Sequence, residues 1–413
     1  MEDKIQFRKN FIWNTIGTGL NAFNSLFFMI IVTRINGLND AGVFTLAFST
    51  ANILFAVGLY SGRVYQVTEL NKEISDNDFI LSRIITILLM MILVLLFCFC
   101  NKYDINKAIV FILLTFYKSI DAFCDVLYGI MQKNEKLDVV GKSLIIKSIL
   151  SLTSLIIVDI VTKNLVLSII SVVIVYIFVS IVYDFKKTYK FIKTNIKIKK
   201  KNIINILKNG FFIFSISFLG MYIVNAPKYS IDKYLCENYQ TIFAIIVMPA
   251  TIISLIAQFL IHPYLNKIIK LYKEKNLKDF KIILFKIIGV ILCCGIIATI
   301  VGYFLGTFLL GIVYGINLEN YKLALSIIII ASTLYTLGTV LSSILTTVRK
   351  IIPQFLIYIF ITVFAYMVSD ILTKVNSING AIISYFAIMA VYSLLYALYV
   401  KINIKKIFKR EGE

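Results

Sequence analysis

Apolar residues in this chain do not alternate with polar ones. They gather into long blocks separated by short polar or basic stretches. A helix needs roughly 20 apolar residues to cross a bilayer's hydrocarbon core, so each block reads as one span. Twelve are expected, at about 11–34, 41–67, 79–100, 108–131, 139–161, 165–184, 210–234, 241–262, 281–310, 321–347, 351–372 and 379–400. The ninth is overlong, and an interfacial or re-entrant piece is expected over Gly306–Gly315. The pattern therefore predicts an all-α polytopic membrane protein of about twelve transmembrane helices. Its longest connection is a cytoplasmic basic linker, residues 186–209. That linker separates an N-terminal six-helix bundle (1–185) from a C-terminal one (210–413). Six is even, so both halves start from the same side. Pseudo-symmetry between them would run about an axis along the membrane normal.

Two spans are interrupted. Asn225-Ala226-Pro227-Lys228 and then Asp232 break the seventh, and Met248-Pro249 the eighth. Proline removes a helical hydrogen bond, which leaves the carbonyls of Ile223 and Ile245 in need of other partners. Such breaks are tolerated at membrane depth where the backbone is buried in protein or lines a wet cavity. A lysine and an aspartate beside the break favour the cavity.

Composition agrees with the pattern. Hydrophobic residues make up 59% of 413 and charged residues 15%, too apolar for a soluble protein. The formal charge of +20 sits between the apolar blocks, which marks topology rather than a nucleic-acid surface. With the N-terminus inside, 28 of the 42 Lys and Arg fall on the cytoplasmic side, seven outside and seven within spans or at their ends. Both termini are expected in the cytoplasm of a cell with this protein in its inner (cytoplasmic) membrane. The lysines of 186–208 read as a topogenic loop, with anionic-lipid binding as the alternative.

The six cysteines form no CxxC pair and read as small core residues. His262, the lone histidine, precedes Pro263 and reads as structural rather than as a proton relay. There is no phosphate loop, metal-ligand cluster or nucleophile–base pair, so neither an enzyme nor a cofactor is expected. Short outer loops disfavour a membrane polysaccharide polymerase or ligase.

Candidate chemistry lies inside the spans. Span 1 carries Asn14, Gly17, Thr18, Asn21, Asn24 and Ser25 mostly on one face, for helix packing or for cavity lining. Span 2 carries Ser49, Asn52, Tyr60, Arg63 and Gln66. Arg63 is either a cavity cation or a snorkelling arginine. Span 4 aligns Lys118, Asp121 and Asp125 by i, i+3 and i, i+4 spacing. Lys118 falls near the midplane, where an uncompensated charge costs at least about 2.5–3.5 kcal/mol. Asp121 is its natural partner, which leaves Asp125 as an exchangeable proton or cation site, or as part of a structural ion pair. Span 7 sets Ser217, Met221, Asn225, Lys228 and Asp232 on one face, and Lys228 can pair with Asp232. Spans 8 to 12 hold almost no charge between their ends. The expected substrate-binding set is therefore Arg63, Lys118, Lys228 and Asn225, with cations at inner, middle and outer depth facing one lumen. The expected ion-coupling set is Asp121, Asp125 and Asp232. Such a ladder suits an anion that must cross, such as a pyrophosphate.

Some of these residues carry a resemblance. Asn225-Ala226-Pro227-Lys228-Tyr229-Ser230-Ile231-Asp232, Met248-Pro249 and His262-Pro263-Tyr264-Leu265 do so. So do Gly311-Ile312-Val313-Tyr314-Gly315 followed by Tyr321, and Arg8, Asn14 and Gly19 followed by Arg34, Gly37 and Gly42. In these the chain resembles the bacterial polysaccharide-biosynthesis flippases, the Wzx-type O-antigen and capsule repeat-unit exporters of the MOP (multidrug/oligosaccharidyl-lipid/polysaccharide) superfamily. The resemblance implies a MATE-like fold, two six-helix bundles around a central cavity. It implies that an undecaprenyl-diphosphate-linked oligosaccharide is moved between leaflets by alternating access, coupled to a proton or a sodium ion, with Arg63, Lys118 and Lys228 at the substrate. The expected partners are that lipid-linked oligosaccharide, the coupling ion and membrane lipids, with no nucleic acid, and the protein is expected to be a monomer. The alternative is a drug or cation antiporter of the same fold, which should favour acidic lumen residues.

Overall fold

The computed structural model describes residues 2–60, 62–69, 74–192, 199–347 and 351–409. Within that range the side chains of 2–4, 254–263, 265, 266, 347 and 404–409 lie outside the description. The calls on His262, Pro263 and Leu265 therefore lie outside the described side chains, as does part of the charge bias (Lys72, Lys193, Lys197, Arg349, Lys350 and Arg410).

Helix follows helix. The order is α1 (Glu2–Ile35), α2 (Gly37–Leu59), α3 (Gly62–Thr68), α4 (Asp76–Cys100), α5 (Ile105–Lys133), α6 (Leu137–Thr162), α7 (Leu165–Val179), α8 (Lys186–Thr188), α9 (Lys200–Tyr234), α10 (Glu237–Lys273), α11 (Leu277–Val301), α12 (Thr307–Tyr314), α13 (Lys322–Thr347) and α14 (Ile351–Lys409). Among the described residues nine helices are long and apolar enough to cross a membrane. α5 is not one of them, because Lys118, Asp121 and Asp125 interrupt its apolar run. α14 holds two expected spans, divided where Asn376 and Ser377 leave helical geometry, Ser377 at φ 51°. The blocks read from the sequence appear largely as helix at their expected places, except that the second, 41–67, is divided after Leu59, where Tyr60 turns left-handed at φ 43°. The result is an all-α, MATE-like polytopic membrane protein.

The chain forms two compact units, Met1–Phe218 and Leu219–Glu413. In the first, α1 lies along α6 and α2 along α5, with α4 and α7 also on α5. α1 and α6 touch through two glycines. A Cβ on Gly17 would meet the Gly141 carbonyl, and one on Gly141 would meet the carbonyl of Trp13. Small residues let helix backbones approach this closely. In the second unit, α13 packs on α10, α11 and α14, around Tyr335, Tyr358, Tyr392 and Tyr396. The hydroxyls of Tyr358 and Tyr392 lie 2.9 Å apart.

Caps explain several boundaries. Ser75 accepts from the Asp78 backbone N–H at 3.2 Å, while Asp78 Oδ2 accepts from the Ser75 N–H at 3.0 Å, a reciprocal start for α4. Asp104, Asn164 and Asn276 accept from the first turns of α5, α7 and α11. Asp78 also holds the start of α9: Oδ1 accepts from the Lys199 N–H at 3.0 Å and Oδ2 from the Asn202 amide at 2.8 Å. Outward, Leu88, Ile92, Leu96 and Phe99 of α4 are exposed, as lipid-facing residues should be.

Four expectations change. First, 306–315 is no re-entrant piece. A π-turn at Gly302–Gly306 carries α11 directly into α12, which ends where Gly315 turns left-handed at φ 72°. Second, α9 and α10 run on through Pro227 and Pro249. Each proline removes one hydrogen bond from its helix without ending it. Third, helix α9 already begins at Lys200, so Lys200, Lys201 and Lys208 ride on it rather than on a loop. Fourth, only Cys98 and Cys124 are buried; Cys100, Cys236, Cys293 and Cys294 are exposed. In a membrane protein an apolar run faces lipid as readily as core.

Candidate functional site

Helix α5 organises the charges of the first unit. Lys118, Asp121, Cys124, Asp125, Tyr128 and Gln132 follow one another at helical spacing. Each meets a different neighbour.

At the middle of α5, Lys118 Nζ lies 3.6 Å from Asp121 Oδ2, the intrahelical pair that the spacing predicts. Three rings surround the ammonium: Tyr117 at 5.1 Å, Phe55 at 5.2 Å and Phe48 at 5.3 Å from their centroids. Ring faces carry negative potential and attract such a cation.

One turn further on, Asp125 sits between two arginines. Oδ2 accepts from Arg83 at 3.0 Å, and Oδ1 faces Arg63 at 3.4 Å. Arg83 is 3% exposed and also donates to the Gly58 carbonyl at 2.9 Å. Arg63 is 28% exposed, donates through Nε to Gln132 Oε1 at 3.1 Å and lies over the Tyr128 ring. Arg63 thus reaches toward α5. Asp125 is the counter-ion of two arginines on other helices, partners that spacing within α5 does not show. One carboxylate against two guanidiniums leaves this cluster with a net positive charge.

On the other side of Tyr128 lies a buried ion pair. Lys147 of α6 faces Asp184 at 2.6 Å, with side chains 0% and 2% exposed. Lys147 also donates to Cys124 Sγ at 3.0 Å and to the Tyr128 hydroxyl at 3.1 Å. Asp184 stands on a π-turn, Ser180–Phe185, that extends α7. Such turns displace one residue from the regular ladder and recur at functional sites. Tyr128 thus joins the two clusters, with its ring under Arg63 and its hydroxyl on Lys147.

Arg63 and Lys118 each face a different carboxylate of α5, Asp125 and Asp121. Asn225, Lys228 and Asp232 lie on α9 in the second unit, all half-buried. The Asn225 amide donates back to the Met221 carbonyl at 2.8 Å and braces the turn before Pro227. Lys228 and Asp232, one turn apart, are each engaged by neighbours. In the same unit Lys233 faces Asp370 at 2.8 Å, and Tyr234 donates to the same carboxylate at 2.9 Å. Two of the quoted motifs meet here, since the Tyr314 hydroxyl lies 3.2 Å from Met248 Sδ.

Sequence reasoning passed over Arg83, Lys147, Tyr128 and Asp184. A signal was present: Arg83 and Lys147 are charges inside apolar blocks, and each of them needs a counter-charge from another block. The span 1 amides divide. Asn24 donates to Ser151 at 3.1 Å and Asn21 accepts from Tyr176 at 3.3 Å, which is packing. Asn14 lines a cleft at the start of α1.

Comparison with known proteins places the fold. No protein-family model matches the chain. It is similar to the capsular polysaccharide biosynthesis protein CapF of Staphylococcus aureus, 27% identical over 314 residues, 74% of this chain and 77% of that protein. It is similar to an inward-facing multidrug-resistance MATE transporter of the MOP superfamily, with TM-score 0.69, 13% identity, and 97% and 100% of the two chains covered. It is also similar to a Vibrio cholerae MATE transporter, with TM-score 0.63, 12% identity, and 97% and 99% covered. A third similar structure is a Pyrococcus furiosus MOP transporter whose reversed pocket polarity is said to suggest a different function; its TM-score is 0.57 at 13% identity, with 98% and 96% covered. The chain has the fold of MOP-superfamily transporters.

Proposed function

We propose that this protein is a transporter that moves a lipid-linked oligosaccharide, carried on undecaprenyl diphosphate, across the cytoplasmic membrane by alternating access. The observation that carries the reading is the net-positive Arg63–Arg83–Asp125 cluster inside a membrane bundle. Charges at this depth are expensive and mark pathways. Guanidiniums bind phosphate oxygens in bidentate fashion, so an arriving diphosphate competes with Asp125 for Arg63. The similarity to a capsule biosynthesis protein supports the same cargo class.

Lys118, Lys228 and Asn225 extend the substrate path in this reading, and the prenyl tail stays in lipid. A diphosphate that takes Lys118 releases Asp121, and one that takes Arg63 frees Asp125 Oδ1 while Oδ2 stays on Arg83; in this reading the freed oxygen accepts a proton or a sodium ion, which couples the two movements. Asp232 is assigned the same role beside Lys228. Both termini face the cytoplasm, as the charge bias directs, and residues 186–209 link two six-helix bundles.

A drug or cation antiporter of the same fold is the rival, and cationic interior clusters are a poor lining for a cationic cargo. The test is surface polysaccharide in cells that depend on this protein. Lys118→Ala and Lys228→Ala should each abolish it while the protein stays in the membrane at normal abundance. Full surface polysaccharide in both variants would refute the reading.

A further inference from the structure

The ion pairs leave one feature of the first unit unused, the cleft between the start of α1 and the α5–α6 turn. It encloses about 890 Å³, within the roughly 300–1,000 Å³ of small-molecule sites. Its wall is fixed by amides. Gln6 donates to Asp138 at 3.0 Å, and Asn10 donates to the Glu135 carbonyl at 2.8 Å. Two further amides face the cleft with donors to spare. Asn14 makes no hydrogen bond among the described residues, and Gln132 uses only its oxygen, on Arg63. Between them project two aromatic rings, Phe7 at 73% and Phe11 at 64% exposed.

This combination has a chemical meaning. A side-chain amide donates and accepts at once, which matches the paired hydroxyls of a sugar. An exposed ring offers an apolar face to the C–H face of a pyranose. A planar drug cation would instead want carboxylates; among the described residues the lining holds Glu135, which is exposed, while Asp138 behind it is taken by Gln6. The Gln132 oxygen is held by Arg63, so the amide that meets the sugar is tied to the guanidinium assigned to the diphosphate.

We propose that this cleft is a carbohydrate subsite, which holds the sugar rings of the lipid-linked cargo while Arg63 takes its diphosphate. The proposal rests on the transporter reading above. In the orientation given there, the cleft opens at the cytoplasmic end, where cargo loads.

Trp13, the only tryptophan of the chain, is adjacent to Asn14 and serves as a reporter. The purified full chain is titrated with two ligands. One is the lipid-linked saccharide extracted from cells blocked in polymerising their surface polysaccharide. The other is farnesyl diphosphate, a prenyl diphosphate without sugar. Asn14→Leu removes one amide, and Thr15→Val removes a hydroxyl from the same lining without touching Arg63. Each should weaken saccharide-lipid binding about tenfold, the worth of one or two well-made hydrogen bonds, and leave farnesyl diphosphate binding unchanged. That unchanged binding, with normal elution on gel filtration, reports an intact fold. Wild-type saccharide affinity in both variants would overturn the subsite and leave the transporter reading standing. Equal loss of both ligands would also overturn it, because a sugar subsite is not needed by a sugar-free lipid. Wild-type protein that binds neither ligand would remove the transporter reading and the subsite with it.

Discussion

Asp125→Ala will destabilise the first unit by about 3–5 kcal/mol, the usual effect of removing one partner of a buried ion pair. Arg83 is the reason. Its side chain is 3% exposed, and it also donates to a neutral carbonyl, that of Gly58. Without Asp125 a guanidinium is left inside the bundle beside a second one, Arg63. Asp125→Asn keeps the shape but not the charge and should lose nearly as much. Arg83→Met with Asp125→Leu removes both charges and should recover most of the loss, since apolar replacements of buried pairs are often neutral. Thermal unfolding of detergent-purified protein compares all three with the wild type. A double variant no more stable than Asp125→Ala would mean that the pair is not the source of the effect. Recovered stability without recovered surface polysaccharide would separate the cluster's structural role from its role toward cargo.

The second large effect belongs to Lys147 and Asp184. Both side chains are buried, 2.6 Å apart, and Lys147 is further held by Cys124 and Tyr128. Lys147→Met alone strands a carboxylate on the π-turn, and Asp184→Leu alone strands an ammonium in the core. Each should cost about 3–5 kcal/mol. The double variant should cost less than their sum by about 0.5–3 kcal/mol, the coupling expected for residues in contact. Simple additivity in the same unfolding assay would show that the two do not act as a pair.

These two clusters also mark where the sequence stopped being legible. Spans were readable because bilayer thickness sets their length, and the Asn376–Ser377 kink falls where the last two blocks part. Lys118 and Asp121 were readable because three residues along one helix is a local distance. Arg83 with Asp125 was not, since the partners stand 42 residues apart on different helices. Helical spacing ranks partners within a helix and is silent on which face another helix presents. That silence hid both arginines of Asp125 and the closure of Lys147 on Asp184 beside Tyr128. Pro227 and Pro249 misled for a related reason, because a proline predicts a lost hydrogen bond but not whether the helix continues past it.

Transfer between leaflets tests the central claim most directly. Purified protein is reconstituted into vesicles whose lipid-linked oligosaccharide carries a fluorophore, and an impermeant quencher reports how fast inner-leaflet label reaches the outside. Wild-type protein should transfer the label well above protein-free vesicles, and Arg63→Gln should slow it at least about tenfold, the worth of one charge-assisted contact to phosphate. Transfer no faster than in empty vesicles, or an Arg63→Gln variant as fast as wild type, would contradict the account.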